Sequence, residues 1–209
     1  CPDGSDTRNA ASAGDFVNGT GATHCIACAL GLFQTGNDEC LNCPDGSDTR
    51  NASNLYVTTS ASSCIACVDG TFQTPGSNAA CADVGNGKQG QLLGSGNVHA
   101  ASGGAKFQVD CATGTWNADG TGACANCGDG SDTQKNNGYV ASAATQCKAC
   151  SAGQFQTGND QCAACQDGSD TRSAASGGSF VSGTGASHCV ACALGLFQTG
   201  NDECLNCPD

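Results

Sequence analysis

CIACALGLFQTGNDECLNC, residues 25–43, sets two Cys-x2-Cys dyads eleven residues apart around one Gly-x-Phe step. The frame returns from residue 64 as CIACVDGTFQTPGSNAAC, at residues 147–165 as CKACSAGQFQTGNDQCAAC, and at residues 189–207. Eleven residues rich in Gly, Asn and Asp favour turns and give no helical apolar period over three turns, so the stretch predicts short strands joined by tight turns, as at Asp3-Gly4, Gly36-Asn37 and Gly158-Asn159.

Working outward, CPDGSDTR follows the second dyad at Cys43 and stands also at Cys1; CGDGSDTQ occurs at Cys127, CQDGSDTR at Cys165, and CPD begins again at Cys207. The unit is therefore about 40 residues long. Residues 1–45 align without gaps on residues 165–209 with seven differences, which sets a longer period of 164 residues. Restarting the motif at Cys207 predicts that the array continues beyond it, because terminal repeats usually carry atypical caps.

The chain holds 19 Cys and 31 Gly in 209 residues, with no Met, one Trp and two Tyr. Large apolar side chains are too few for one core, so disulfide staples are expected to replace it. The expected fold class is small, disulfide-rich and mostly β or irregular: an elongated tandem array of cysteine-rich modules with almost no helix. Divided by its cysteines, the chain reads as repeats 1–42 and 43–81 (the second degenerate at its end), a Cys-free Gly-rich loop or joint 82–110, a partial repeat 111–126, repeats 127–164 and 165–206, and the start of another at 207–209. A net charge of −12 would repel a phosphate backbone, so nucleic-acid binding is not expected. No run of residues approaches the length of an apolar membrane span, so any membrane link would be an anchor outside this sequence.

The defective unit bears on cysteine pairing. In the repeat frame Val84 and Gln108 stand where cysteines belong, so two are missing together. If the second Cys of each dyad pairs with the first of the next, the loss leaves no orphan. The pairs are then Cys1–Cys25, Cys28–Cys40, Cys43–Cys64, Cys67–Cys81, Cys111–Cys124, Cys127–Cys147, Cys150–Cys162, Cys165–Cys189 and Cys192–Cys204, with Cys207 left over. A crossed alternative, Cys25 to Cys40 and Cys28 to Cys43, would strand Cys67 and Cys124. Each staple removes about 3 kcal/mol of unfolded-state entropy.

Apolar positions recur with the frame. Phe33, Phe72, Trp116, Phe155 and Phe197 each follow a Gly by two residues and are expected to form miniature cores against a disulfide. Phe16-Val17, Tyr56-Val57, Tyr139-Val140 and Phe180-Val181 predict a short strand closing each larger loop.

Three chemistries compete with a structural reading. Paired dyads resemble four-thiolate zinc sites, but that grouping gives only three ligands on either side of Val84 and Gln108 and leaves Cys1 outside any set. The carboxylates Asp3/Asp6, Asp45/Asp48, Asp129/Asp132 and Asp167/Asp170 could hold calcium, though their spacing completes no EF-hand loop. The favoured reading has Asp and Ser making turn hydrogen bonds while the carboxylates and Arg8, Arg50 and Arg172 face solvent. His24 and His188 give way to Ser63 and Gln146 in other units, which suits exposed side chains. No nucleophile-base-acid set is present, so no enzyme activity, cofactor, metal or catalytic residue is expected. Asn18-Gly19-Thr20 and Asn51-Ala52-Ser53 are glycosylation acceptors in the larger loops.

CIACALGLFQTGNDECLNCPDGSDT resembles the cysteine-rich modules of growth-factor-receptor and ephrin-receptor type. Tandem arrays of this kind, rich in Ala, Ser, Thr, Gly and Asn, resemble the immobilisation antigens of ciliated protists. That resemblance implies an acidic extracellular coat glycoprotein on a glycolipid (GPI) anchor, with no residue carried over beyond the cysteines. Two alternatives stay open: a self-associating subunit of an extracellular filament or appendage, and an adhesive or receptor-like module binding through residues 82–110.

Overall fold

The computed structural model describes the chain apart from residues 12–13, 37–38, 93–97, 159–160, 199, 201–202 and 208–209. The expected turn residues Asn37 and Asn159 and the middle of the 82–110 stretch thus lie outside the described residues. Among the described residues there is no helix; strands of two to five residues make nine two-stranded sheets and one of three strands. The chain divides into two compact units, one of Cys1–Val84, Gly90–Val109 and Gly120–Ala123, the other of Gly85–Gln89, Asp110–Asp119 and Cys124–Asp209.

Each module is a larger hairpin followed by a smaller one. In the first, Ser5–Arg8 pairs antiparallel with His24–Ala27, and Leu32–Phe33 with Leu41–Asn42. Four-residue strands form at SDTR because alternate positions find different environments: Asp6 and Arg8 share one face and Ser5 and Thr7 the other. Thr7 Oγ1 donates 2.7 Å to the Val17 carbonyl, and Thr49, Thr133 and Thr171 do the same to Val57, Val140 and Val181. This bond holds the returning apolar segment, which bridges at Arg8 with Phe16, Arg50 with Tyr56 and Arg172 with Phe180. Among the described residues that segment becomes a strand only within residues 127–164, as Gly138–Tyr139 beside Ser131–Lys135.

Residues 82–110, expected to be a loop or joint, carry three strands. Ala82–Asp83 closes the preceding small hairpin, and Lys88–Gln91 pairs with Phe107–Asp110. The segment follows the plan of the other larger hairpins position by position. Val84 N–H donates to the Gly70 carbonyl, as Cys43 does to Gly31 and Cys127 to Gly114. His99 bridges Gln91 where Phe16 bridges Arg8. The hydrogen-bonded frame thus defines five modules, 1–42, 43–83, 84–126, 127–164 and 165–206. Backbone bonds, which do not depend on side chains, keep the frame after the cysteines are lost.

The core differs from the expected one. Of the aromatic residues at the Gly-x-aromatic step, Phe33, Phe72, Trp116 and Phe155 are half-buried and Phe197 is exposed. Buried apolar residues are mostly small: Cys28, Cys67, Cys111 and Cys150, with Ala61, Ala105, Ala144 and Ala186, and Val84 at the largest. The large buried side chains are polar, with Gln34 and Asp6 1% exposed and Asp48 2%. A ring two or three strands from solvent on every side cannot be covered in so thin a module. A short polar chain that bonds the backbone beside it can.

Candidate functional site

The structure brings eighteen cysteines together in pairs: Cys1–Cys25, Cys28–Cys40, Cys43–Cys64, Cys67–Cys81, Cys111–Cys124, Cys127–Cys147, Cys150–Cys162, Cys165–Cys189 and Cys192–Cys204, with Cα separations of 5.4 to 5.6 Å. Cys207 is free and exposed. Asn18 is exposed, while Asn51 is half-buried and its Oδ1 accepts the N–H groups of Ser53 and Leu55 at 2.9 and 3.0 Å.

The recurring site is the seam where one small hairpin meets its own larger hairpin and the next. Within a module the Cys28 N–H donates to the Gly4 carbonyl and the Gly4 N–H to the Gln34 carbonyl. Toward the next module, Gln34 N–H donates to Ala61 and Ser60 N–H to Cys28. The same bonds to the next module recur as Gln73 to Ala105 and Gly104 to Cys67, Asn117 to Ala144 and Ala143 to Cys111, and Gln156 to Ala186 and Gly185 to Cys150. Four seams are thus built alike.

The turn glycine, in Asp-Gly-Ser-Asp at Gly4, Gly46 and Gly130 and in Asn86-Gly87-Lys88 in the third module, makes this approach possible. A Cβ on Gly4 would stand 2.1 Å from the Ser60 carbonyl oxygen; on Gly46, 2.2 Å from Gly104; on Gly87, 2.1 Å from Ala143; on Gly130, 2.1 Å from Gly185. These glycines also have φ between 78° and 84°, which an L side chain rarely adopts. Sequence reading gave them only the turn. Opposite them, Ser60 (φ 56°) and Ala143 (φ 54°) take the same left-handed conformation without being glycine.

The two aspartates of the motif do different work, and the second corrects the solvent-facing reading. Asp6, Asp48, Asp132 and Asp170 are buried. Arg50 grips Asp48 through Nε to Oδ1 at 2.5 Å and Nη2 to Oδ2 at 2.7 Å, and Arg172 grips Asp170 at 2.7 and 2.5 Å. Arg8 forks Asp6 likewise, and Gln134 Nε2 donates to Asp132. The carboxylates also accept the N–H of the cysteine closing the small hairpin: Asp48 from Cys81 at 3.1 Å, Asp132 from Cys162 at 3.3 Å, Asp170 from Cys204 at 3.2 Å. Strand periodicity of two puts Asp and Arg on one face, so the signal was in the spacing.

These contacts set the charge state. The Arg8 fork, with help from the Cys40 N–H, holds the Asp6 carboxyl below its ordinary range despite burial. For Asp170, burial pushes upward, and the Arg172 fork and the Cys204 N–H outweigh it. The first aspartates are exposed and brace the turn of the small hairpin: Asp3 accepts the Gly36 N–H at 3.1 Å, Asp45 that of Gly76 at 3.3 Å and Asp129 that of Gly158 at 2.9 Å. The pair therefore does not converge on a shared cation. Among the described residues no three His, Cys, Asp or Glu side chains cluster as a metal site.

Glutamine after the aromatic was missed altogether by sequence reading. Gln34, Gln73, Gln156 and Gln198 are buried, as is Asn117 in the third module. Gln73 Oε1 accepts the Gly46 N–H at 3.2 Å, and Gln198 Oε1 that of Gly168 at 3.2 Å. Its recurrence as Phe-Gln-Thr was the available signal. The groove beside Phe155, lined by Ala163, Ala164, Gln166, Ser169 and Cys189, contains no ionisable side chain.

Disulfides, tandem modules and seams together describe a cysteine-rich repeat array. No curated protein matches the chain. Residues 14–53, which include Cys25, Cys28, Cys40 and Cys43, match the family described as tyrosine-protein kinase ephrin type A/B receptor-like; with the disulfides, this likeness indicates an extracellular or surface module of a structural or binding kind.

Proposed function

We propose that the chain is a segment of an extracellular surface coat of the immobilisation-antigen kind, held to the membrane by a glycolipid anchor and without catalytic chemistry. The observation that carries the reading is the seam, repeated four times with the same backbone bonds, with a disulfide in both of the hairpins that meet at the first, third and fourth. A surface built so that every module is spent on holding its neighbours suits a protective layer. Polar burial, a net charge of −12 and stapled loops favour hydration and resistance to cleavage. Glycans on Asn18 and Asn51 would add to both.

The test is immunolabelling of intact cells before and after phosphatidylinositol-specific phospholipase C. Continuous surface label that the lipase releases into the medium is the expected result. Lipase-resistant label on ordered fibres would replace the coat with a filament, and soluble protein captured on a second cell would replace it with an adhesive module.

A further inference from the structure

A disulfide bypasses the residues it encloses. When a stapled chain is pulled from its ends, tension crosses the S–S bond and leaves the closed loop slack. Between consecutive staples, tension runs through two residues at a time: 26–27, 41–42, 65–66, 125–126, 148–149, 163–164 and 190–191. One stretch is different. Between Cys81 and Cys111 lie 29 consecutive residues, 82–110, that no disulfide encloses.

The side-chain clamps of the other larger hairpins are replaced in the same stretch. Gln89 and Gln91 stand where Asp6 and Arg8 stand, so the forked ion pair is gone, although Gln89 Oε1 still accepts the Cys124 N–H at 2.9 Å. Gly90 replaces the threonine whose hydroxyl holds the returning segment; only the backbone bond from Ala100 N–H to the Gly90 carbonyl is kept. Gln91 is buried with neither Nε2 nor Oε1 hydrogen-bonded, and His99 Nε2 lies 2.9 Å from Asp69 Oδ1 without hydrogen-bond geometry. The covalent staple, the threonine clamp and the fork are therefore missing at one place, while the backbone frame persists together with an exposed Lys88 Nζ–Asp110 Oδ1 ion pair at 2.6 Å.

We infer that residues 82–110 are a tension-release element, a stretch that opens reversibly under load while every stapled loop stays closed. Its backbone pairing gives it a folded rest state, and its missing staple gives it length. Extended at about 3.6 Å per residue, it supplies roughly 10 nm of contour, less the folded separation of its ends. Opening the two-residue links supplies less than a tenth of that each. A coat or fibre of such chains would yield to shear in a single defined step. The inference concerns the chain itself and holds whether or not the coat reading does.

The test is force-extension measurement on the full chain, tethered at both ends in non-reducing buffer. One release with the contour of 29 residues is expected, followed by recovery on relaxation. Val84→Cys/Gln108→Cys, with a mass showing that its added thiols are oxidised, should lose that release. Cys67→Ala/Cys81→Ala should lengthen it by about 5 nm, because the 15 residues 67–81 join the tensioned path. Absence of the release in the parent chain, its persistence in the oxidised double-cysteine variant, or an unchanged length in the double-alanine variant would each overturn the inference. Should the added cysteines stay reduced, the double-alanine length alone decides.

Discussion

Asp48 Oδ2 accepts the backbone N–H of Cys81 at 3.1 Å, across 33 residues of sequence. A carboxylate in the larger hairpin thereby positions the cysteine that closes the smaller one, while Arg50 balances its charge. The second aspartate of the motif is a structural ligand for a backbone amide, which is why burial at 2% exposure is tolerated.

Acid should weaken the array through these groups. Asp6 and Asp170 have folded-state values below their ordinary ones. The stability they contribute is therefore fully present above the unfolded value, about 3.9, and is lost as pH falls through the lower folded value. Denaturant midpoints of the oxidised chain should hold from pH 7 to 5 and drop below about pH 4. Asp170→Asn should cost about 1–3 kcal/mol at pH 7 and flatten the acid limb. An unchanged acid limb would remove Asp170 from this role.

Glycine substitutions separate seam from turn. Gly130→Ala places a methyl 2.1 Å from the Gly185 carbonyl oxygen at φ 82° and should cost about 3 kcal/mol or more. Gly158→Ala has φ 75° but no atom within 4 Å of the new Cβ, and should cost only about 1–2 kcal/mol. At Ala143, where φ is 54°, glycine should stabilise by up to about 1 kcal/mol. Thermal unfolding of the three oxidised variants gives the order.

Sequence reading reached the strand-and-turn class through the dyad spacing and the absence of helical periodicity. Its failures share a cause. Asp6 is buried because it accepts the Cys40 amide from a distant part of the chain, and Gln34 because its Nε2 donates to the Gly36 carbonyl while its backbone bonds Ala61 and Gly4, none of which hydropathy registers. Residues 82–110 looked like a loop because Val84 and Gln108 break the cysteine signature, whereas the alternation of Lys88, Gln89, Gly90 and Gln91 matches Ser5 to Arg8 in length only. The backbone ladder that identifies the module is invisible in side-chain identity.

Gln73 offers a third test. Its Oε1 is the partner of the buried Gly46 N–H, so Gln73→Ala should leave that donor unsatisfied and cost about 1–3 kcal/mol. Gln73→Glu keeps an acceptor there and should recover part of the loss at neutral pH. If the alanine variant unfolds with the parent, the buried glutamine is filler.

Hydrogen exchange should grade the modules. Amides of equivalent backbone bonds sit in modules that differ mainly in staples and side-chain clamps: Val17 to Thr7, Val57 to Thr49, Ala100 to Gly90, Val140 to Thr133 and Val181 to Thr171. Local opening is limited by what must break. For Ala100 no disulfide encloses the hairpin and no threonine hydroxyl or forked ion pair backs the bond, so it should exchange fastest, by a factor on the order of a hundred if the missing staple contributes about 3 kcal/mol. The oxidised Val84→Cys/Gln108→Cys variant should bring Ala100 toward its four counterparts and leave Val140 unchanged. Equal protection of Ala100 and Val57 in the parent chain would mean that the backbone frame alone sets local stability and the staples act only on the unfolded chain.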